Sequence, residues 1–327
     1  MVGTSYPNLR RLVAPVASAA LLLTACTVDG APGPAQGTSA PTSTATPTPT
    51  ATPTPTTPTA TPTPPRADVG PAVGRLEETY DAAVGLYAVD TGTGRVVAHD
   101  EDKRFAFAST YKALAAGAVL DRSSAADLRK VVTYDAADLA EWSPVAEQHV
   151  GDGMTMLEII DAAVGQSDNT AGNLLFDALG GPAGFQAALR AIGDETTVAA
   201  RQEPELNDVA PGDDRDTSTA EALAANLRAY ALGDVLDDAG RRVLVEALRG
   251  SVTGAETIRA GVPDSWVVGG KTGTSGDGTR NDIGIVWPPD GDPIVLAVLT
   301  RTEVRGAEPD DALLAEVTAV AVEALLA

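Results

Sequence analysis

The sequence predicts a mixed α/β fold: an antiparallel sheet built from both ends of the globular part of the chain, flanked by helices, with an all-helical insertion. Strand patterns occur only near 84–99 and 265–300. The residues between them carry apolar side chains at helical spacing. Strands at the two ends of one domain bury their apolar faces most simply in one sheet. We therefore expect a cleft where the sheet meets the helical insertion, which is a preferred place for ligands.

The globular part opens with a helix and a hairpin. Pro71–Asp81 has helical spacing, and Val84–Asp90 and Arg95–His99 predict two strands. Thr91–Gly94 supplies the turn between them. An Ala- and Leu-rich helix begins at Ser109 and ends near Leu120. Because the first turn of a helix has unpaired N–H groups, Ser109 is expected where developing negative charge is stabilised.

The rest of the domain is predicted to contain further helices, then strands, then one closing helix. The helices of the insertion are Met156–Val164, Thr170–Leu179, Ala183–Ile192, Thr219–Leu232 and Asp238–Leu248. The strands are Ser265–Lys271, Asp282–Trp287 and Ile294–Thr300, and the closing helix is Ala312–Leu326. This divides 67–327 into an α/β lobe (67–106 and 250–327) and a helical lobe (107–249).

Residues 1–26 have the pattern of an export signal. Arg10 and Arg11 precede a mostly apolar run, Leu12–Ala25, which is too short to span a bilayer. The run leads to Cys26, the only cysteine of the chain, and Leu23-Thr24-Ala25-Cys26 is similar to a bacterial lipobox. We expect Cys26 to be lipidated and the protein to be held at the outer face of the cytoplasmic membrane. A plain signal peptide with a chance cysteine is the alternative, and the Sec and twin-arginine routes both stay open.

Residues 27–66 predict a disordered linker. From residue 31 onward the segment is rich in Pro and Thr, with repeated Thr-Pro pairs. It has too little apolar surface to form a core and favours extended polyproline II. At about 3.1 Å per residue such a linker holds the domain on the order of 100 Å from its anchor.

The charge of the domain excludes two classes of partner. The whole chain has 23 basic and 45 acidic residues, and segment 1–66 contributes three arginines and one aspartate. The domain 67–327 therefore has 20 basic and 44 acidic residues, a net charge of −24. Such a surface repels nucleic acid and anionic membranes. A single cysteine allows no internal disulfide, and we expect a monomer that needs no metal or cofactor.

Three short motifs place serine and lysine side chains where the cleft is predicted. Ser109-Thr110-Tyr111-Lys112 puts a hydroxyl and an amine on one helix face. An amine in that position can activate a serine nucleophile without histidine. Ser167-Asp168-Asn169 and Lys271-Thr272-Gly273 follow, within the insertion and at the end of a strand. The tetrapeptide alone is a weak signal, but the three motifs in this order predict a nucleophilic serine.

Together these motifs resemble those of the class A serine β-lactamases and the penicillin-binding proteins. Arg201–Asn207 and Pro211–Asp216 are similar to the start and end of the omega loop of class A enzymes. Glu141-Trp142-Ser143-Pro144 resembles their cleft-rim loop. The resemblance covers nearly all of 67–327. It implies hydrolysis of the β-lactam amide of penicillins or cephalosporins through an acyl-serine intermediate, and thereby β-lactam resistance.

The resemblance also implies the catalytic roles. Ser109 attacks the β-lactam carbonyl, and Ser167 relays a proton to the leaving nitrogen. The base that activates Ser109 is either Lys112 or Glu203 acting through a water, and the sequence leaves that choice open. Glu203 is expected to activate the water that releases the acyl group. A D,D-peptidase or a β-lactam sensor, the alternative functions, would keep its acyl group.

Further residues are expected to bind substrate or to support the site. The implied substrate contacts are Asn169, Asn207, Lys271, Thr272, Gly273, Thr274, Arg280 and Trp142. The implied supports are Asn173, which holds Glu203, and the ion pair of Arg201 with Asp216, which closes the omega loop. The peptide bond before Pro204 is expected to be cis. Arg280 pairing only with a nearby acid, and Trp142 serving only in packing, are the alternatives. The sequence does not indicate which β-lactams are preferred.

Overall fold

The computed structural model describes residues 66–327 except Pro211, Asp277 and Arg305. The predicted signal peptide with Cys26 and the linker up to residue 65 lie outside these residues, so both stay predictions. None of the described helices has the length and apolar character needed to cross a membrane.

The described residues contain eight α-helices, and these match the predicted helices closely. They are α1 (Gly70–Tyr80), α2 (Tyr111–Arg122), α3 (Met156–Gly165), α4 (Asn169–Leu179), α5 (Pro182–Ala191), α6 (Ala220–Ala231), α7 (Asp238–Arg249) and α8 (Asp311–Leu326). Several begin at side-chain caps, which satisfy N–H groups that have no partner inside the helix. Thr155 and Glu158 form a reciprocal capping box at the start of α3, for example.

The strands of the described residues form one large sheet and two short ladders. They are β1 (Arg66–Ala67), β2 (Ala82–Asp90), β3 (Val96–His99), β4 (Phe105–Ala106), β5 (Val131–Val132), β6 (Met154–Thr155), β7 (Thr217–Ser218), β8 (Val267–Thr274), β9 (Thr279–Trp287) and β10 (Ile294–Thr302). The large sheet has the order β1-β3-β2-β10-β9-β8, and β4–β7 and β5–β6 form the ladders. The predicted antiparallel sheet from both chain ends is confirmed, with the two-residue β1 as a parallel edge.

The central strand β10 is buried on both faces because helices cover both sides of the sheet. Its alternate side chains point to opposite faces. Ile294, Leu296 and Val298 belong to the apolar cluster that contains residues of α1 and α8. Val295, Ala297 and Leu299 belong to the cluster that contains the helical insertion. The insertion therefore packs directly on the sheet, and the site lies along that junction.

The helix predicted to begin at Ser109 begins two residues later. Ala108–Thr110 form a 3-10 turn, and α2 starts at Tyr111. Ala108 has a φ of 44°, so the chain makes a sharp bend immediately before the serine. The predicted helix start at Ser109 was therefore two residues too early. A bend of this kind has no periodic pattern in the sequence from which it could be predicted.

The strand predicted to end at Lys271 continues to Thr274. Gly273 pairs with Asn281 and Thr274 pairs with Arg280 of β9, which begins at Thr279 rather than at Asp282. This extension was not predicted, because its glycines and threonines do not alternate with apolar residues. As a result, the whole Lys271–Thr274 stretch is edge strand facing the helical insertion.

Candidate active site

Ser109 and Lys112 lie in hydrogen-bond contact. The 3-10 turn ends at Thr110, so Lys112 follows within the first turn of α2 and its side chain returns over the serine. Lys112 Nζ donates to Ser109 Oγ over 2.8 Å. Lys112 is fully buried in the Ala-rich helix. The pair is therefore arranged so that a proton can pass between hydroxyl and amine.

The Lys112 ammonium is held by four acceptors. It donates to Ser167 O over 3.0 Å and to Asn169 Oδ1, and it lies 3.1 Å from Glu203 Oε1. Burial lowers the pKa of Lys112, whereas the negative charge of Glu203 acts in the opposite direction. The amine thus gives up its proton more readily than an exposed lysine.

Ser167 and Lys271 form the opposite wall of the site. Ser167 has a φ of 59° at the start of α4, where the buried Asp168 fixes the loop. Asp168 accepts from the backbone N–H groups of Val145, Ala146 and Ala171 at 2.8–3.0 Å, so it braces its own loop. Lys271 Nζ donates to Ser167 Oγ over 3.0 Å.

Burial makes the second lysine less basic than an exposed lysine as well. Lys271 is fully buried in β8, and its ammonium also donates to Thr272 O over 2.7 Å. Burial first, and the nearby charge of Lys112 second, hold its pKa well below the usual range.

Glu203 reaches the site from the omega loop. The predicted cis bond between Glu203 and Pro204 is present. Asn173 holds the Glu203 backbone on both sides, accepting from its N–H at 2.8 Å and donating to its carbonyl at 2.9 Å. Asn207 Nδ2 donates to Glu203 Oε2 over 2.6 Å. The other carboxylate oxygen lies 3.5 Å from Ser109 Oγ, long for a hydrogen bond.

The ion pair expected to close the omega loop is present. Arg201 Nε lies 2.6 Å from Asp216 Oδ2. Asp216 is fully buried, and its other carboxylate oxygen accepts the backbone N–H groups of Ala200 and Arg201 at 2.8 and 3.1 Å. Phe107 N donates to Asp216 O over 3.0 Å. This contact ties the end of the loop to the bend before Ser109.

Gly273 lets β8 approach Ser109. A Cβ atom at this position would lie 3.0 Å from Phe107 O and 3.1 Å from Ser109 N, tighter than ordinary contact. The backbone nitrogen of Ser109 consequently lies close to the edge strand. A cavity of about 290 Å³ opens there. It is lined by Ser109, Trp142, Ser167, Asn169, Asn207, Thr253, Thr272, Gly273, Thr274 and Arg280.

Arg280 and Trp142 occupy the edges of this cavity. Arg280 donates to both carboxylate oxygens of Asp311, at 2.6 and 2.9 Å, and to Thr274 Oγ1 at 3.1 Å. The guanidinium therefore has an acidic partner and also lines the cavity. Trp142 has a φ of 60° and is 67% exposed, so it lies at the rim and not in the core.

Some site residues have no signal in the sequence. Asp311 holds Arg280 from the start of α8, and Thr253 Oγ1 lies 2.7 Å from Thr272 Oγ1. Asp282 is buried on β9 beside β8, where it pairs with Thr272 in the sheet register. Their partners are distant along the chain, so only the folded structure brings them together.

Comparison with known proteins agrees with this geometry. Residues 70–325 match the Beta-lactamase enzyme family. A β-lactamase of Amycolatopsis lactamdurans is 56% identical over 251 residues, which cover 77% of this chain and 83% of that one. The class A β-lactamase structure from Clostridium kluyveri matches with a TM-score of 0.78 at 44% identity, covering 79% of this chain and 98% of that one. The chain belongs to the class A β-lactamases.

Another β-lactamase relative supports the same assignment. A β-lactamase of Bacillus licheniformis is 51% identical over 251 residues, 77% of this chain and 82% of that protein. The predictions of family, fold class and enzyme class are confirmed. This β-lactamase is a serine hydrolase that acts on the β-lactam amide bond.

Proposed function

We propose that Ser109 opens the β-lactam ring and that Glu203 activates the water that releases the resulting acyl group. The observation that carries this proposal is the buried cluster around Lys112. Its Nζ contacts Ser109 Oγ at 2.8 Å and Glu203 Oε1 at 3.1 Å. One nucleophile and two candidate bases therefore meet at one point.

Acylation begins with the attack of Ser109 on the substrate. Ser109 Oγ attacks the carbonyl carbon, and its proton passes to Lys112 or, through a water, to Glu203. The C–N bond of the ring then breaks, the nitrogen takes a proton from the Ser167 hydroxyl, and Ser167 Oγ regains a proton from the Lys271 ammonium. The hydrogen bond from Lys271 to Ser167 Oγ, 3.0 Å long, supports this transfer.

Substrate binding draws on the donors around the cavity. The backbone N–H groups of Ser109 and Thr274 stabilise the oxyanion that forms on attack. The substrate carboxylate is attracted by Lys271 and Arg280 and contacts the Thr272 hydroxyl.

Asn169 and Trp142 serve the other end of the substrate. Asn169 already accepts from Lys112 and donates to Glu141 O over 2.8 Å. One hydrogen of its Nδ2 remains for the carbonyl of a side-chain amide on the substrate. Trp142, 67% exposed at the rim, offers an apolar wall to the substrate side chain.

Deacylation needs a water held near the Ser109 ester. Glu203 Oε1 lies 3.5 Å from Ser109 Oγ, and Asn207 Nδ2 fixes the other carboxylate oxygen at 2.6 Å. Asn207 Oδ1 is buried and has no hydrogen-bond partner within the described residues. A buried amide oxygen is a costly atom to leave unpaired, and a water beside Glu203 would satisfy it. This arrangement favours turnover over a persistent acyl-enzyme.

The test is to trap the intermediate during turnover. The purified protein is mixed with a chromogenic cephalosporin, quenched in acid, and analysed by intact mass and peptide mapping. We expect many turnovers per enzyme and a transient adduct on the peptide that contains Ser109. A stable adduct with no further turnover would favour a sensor or peptidase, and turnover without that adduct would exclude Ser109 as the nucleophile.

We also propose that the exported protein is a lipid-anchored monomer. Support comes from the apolar run of 12–25, which ends at the single Cys26. In a bacterial host, β-lactamase activity of the parent is expected in the membrane fraction, and that of Cys26→Ala in the soluble fraction or the medium. Equal partitioning of the two proteins would contradict the anchor. Sedimentation in detergent should give the mass of one chain.

A further inference from the structure

The proposed mechanism gives no role to Tyr111 of the Ser109–Lys112 motif. Its side chain is fully buried, and its hydroxyl has no hydrogen-bond partner among the described residues. Buried hydroxyls are paired in most proteins, so an unpaired one beside a catalytic site needs an explanation.

The ring of Tyr111 is fixed by aromatic neighbours. It stacks on Phe176 with the ring centroids 4.4 Å apart and the planes 16° apart. Phe107 and Phe185 lie at 5.8 and 6.2 Å. Three such contacts hold the ring in one position and so fix the position of the hydroxyl oxygen.

That position lies against α4 and beside the Lys112 side chain, which contacts Glu203. A Cβ atom on Gly172 would lie 2.4 Å from the Tyr111 hydroxyl oxygen and 2.7 Å from Lys112 Cε. Glycine is unfavourable inside a helix, and here it makes room for the hydroxyl. The next residue of α4, Asn173, holds the Glu203 backbone at 2.8 and 2.9 Å.

The electrostatics agree with this position. Burial first, and the carboxylate of Glu203 second, raise the pKa of Tyr111 well above its ordinary value. The phenol therefore keeps its proton throughout the working pH range and remains a neutral donor. Lys112 Nζ also lies 3.1 Å from this carboxylate, but its charge changes during the cycle if it is the base that accepts the Ser109 proton.

We propose that Tyr111 is a positioning residue for Glu203, whose carboxylate takes the free hydroxyl as a hydrogen-bond donor during deacylation. The inference rests on the proposed role of Glu203 as base. A donor that favours the ionised carboxylate keeps Glu203 competent at lower pH and fixes the direction in which it faces the water.

The test is Tyr111→Phe, which removes one oxygen and keeps the aromatic stack. The acyl-enzyme is formed rapidly, and its deacylation rate constant is measured between pH 4 and pH 9. Losing a donor to the carboxylate should lower the rate constant on the acidic limb of this pH profile by about tenfold. Tyr230→Phe is the matched control, because Tyr230 is buried in the same lobe against Gly117 of α2. Its acidic limb should coincide with that of the parent.

The outcomes separate this inference from the proposed function. A merely structural role of the hydroxyl would change the thermal midpoint of Tyr111→Phe but leave the acidic limb unmoved, and that result would overturn the inference. Circular dichroism confirms the fold of each variant. If Glu203→Gln deacylates like the parent, the role of Glu203 itself fails. If Glu203→Gln stops deacylation while Tyr111→Phe matches the parent, only the inference about Tyr111 fails.

Discussion

Glu203→Gln is expected to convert the enzyme into one that acylates once and then stops. The glutamine keeps the shape of the side chain and the contact with Asn207, which is 2.6 Å long in the parent. It cannot accept a proton from water, and a general base is worth on the order of 10² to 10⁴ in rate. We expect the deacylation rate constant to fall by about 10³ and an adduct on Ser109 to accumulate. Stopped-flow absorbance with a chromogenic cephalosporin should show a burst equal to the enzyme concentration, and intact mass should show the adduct.

The matched control for this experiment is Glu205→Gln. Glu205 lies two residues away in the same loop, but its side chain is exposed. Glu205→Gln removes the same charge as Glu203→Gln, and this variant should hydrolyse the substrate at the parental rate. Continued turnover of Glu203→Gln at the parental rate, with no adduct, would contradict the assignment of Glu203 as the deacylation base.

The rate of the burst also bears on the first chemical step. In the parent, Glu203 Oε1 lies 3.1 Å from Lys112 Nζ, and both side chains are fully buried. Without the carboxylate the Lys112 ammonium loses its counter-charge, so burial favours the neutral amine. A neutral Lys112 beside Ser109 can still accept the serine proton. A fast, full burst would therefore assign acylation to Lys112, whereas a slow one would assign it to Glu203.

Most of the fold was predictable from the sequence because its larger elements have strong local patterns. The helix α4, for example, was predicted within one residue of Asn169–Leu179. The ladders β4–β7 and β5–β6 were missed, since strands of two residues have no periodicity and depend on partners far along the chain. The extension of β8 to Thr274 was missed for a related reason: sheet pairing with β9 outweighs the weak strand propensity of glycine.

The predicted site residues were found through motifs, but the distances among them were not predictable. Lys112 contacts Ser109 within its own helical turn, which the spacing suggested. Its contacts with Ser167 and Glu203 join residues 55 and 91 positions apart and follow only from the packing of the insertion on the sheet. Two features were not predicted: the bidentate pair of Arg280 with Asp311, and the burial of Asp282. The chain is rich in carboxylates, and the sequence does not distinguish these two from the others.

Asp282→Asn is expected to stabilise the enzyme at neutral and alkaline pH. Asp282 is 2% exposed, and its Oδ2 accepts from Thr257 Oγ1 at 2.6 Å and from Ile258 N at 3.3 Å. Its Oδ1 has no hydrogen-bond partner within the described residues. Burial raises the pKa of this carboxyl from 3.8 to about 6, although Thr257 and the charges of Arg280 and Lys271 act in the opposite direction. The folded protein thus holds a proton on Asp282 more tightly than the unfolded chain does.

The sign of the pH dependence follows from that shift. The contribution of Asp282 to stability is fully present below pH 3.8 and is lost as the pH rises through about 6. Above that range the buried carboxylate costs up to about 3 kcal/mol. Asparagine resembles the protonated acid and keeps an acceptor for Thr257. We expect Asp282→Asn to raise the free energy of unfolding by about 1–3 kcal/mol at pH 8 and to match the parent near pH 4.

Urea unfolding of both proteins between pH 4 and pH 8 measures this difference, and the exposed Asp290 provides the matched control as Asp290→Asn. Asp290→Asn should leave the free energy of unfolding unchanged at every pH. If Asp282→Asn is less stable than the parent at pH 8, the attraction between the Asp282 carboxylate and Lys271 outweighs the cost of burying that carboxylate. The Asp282 carboxylate is one of the charges that favour the ammonium form of Lys271. The stabilised variant should therefore bind substrate less well, with KM raised more than kcat is lowered, because stability and activity place opposite demands on this buried charge.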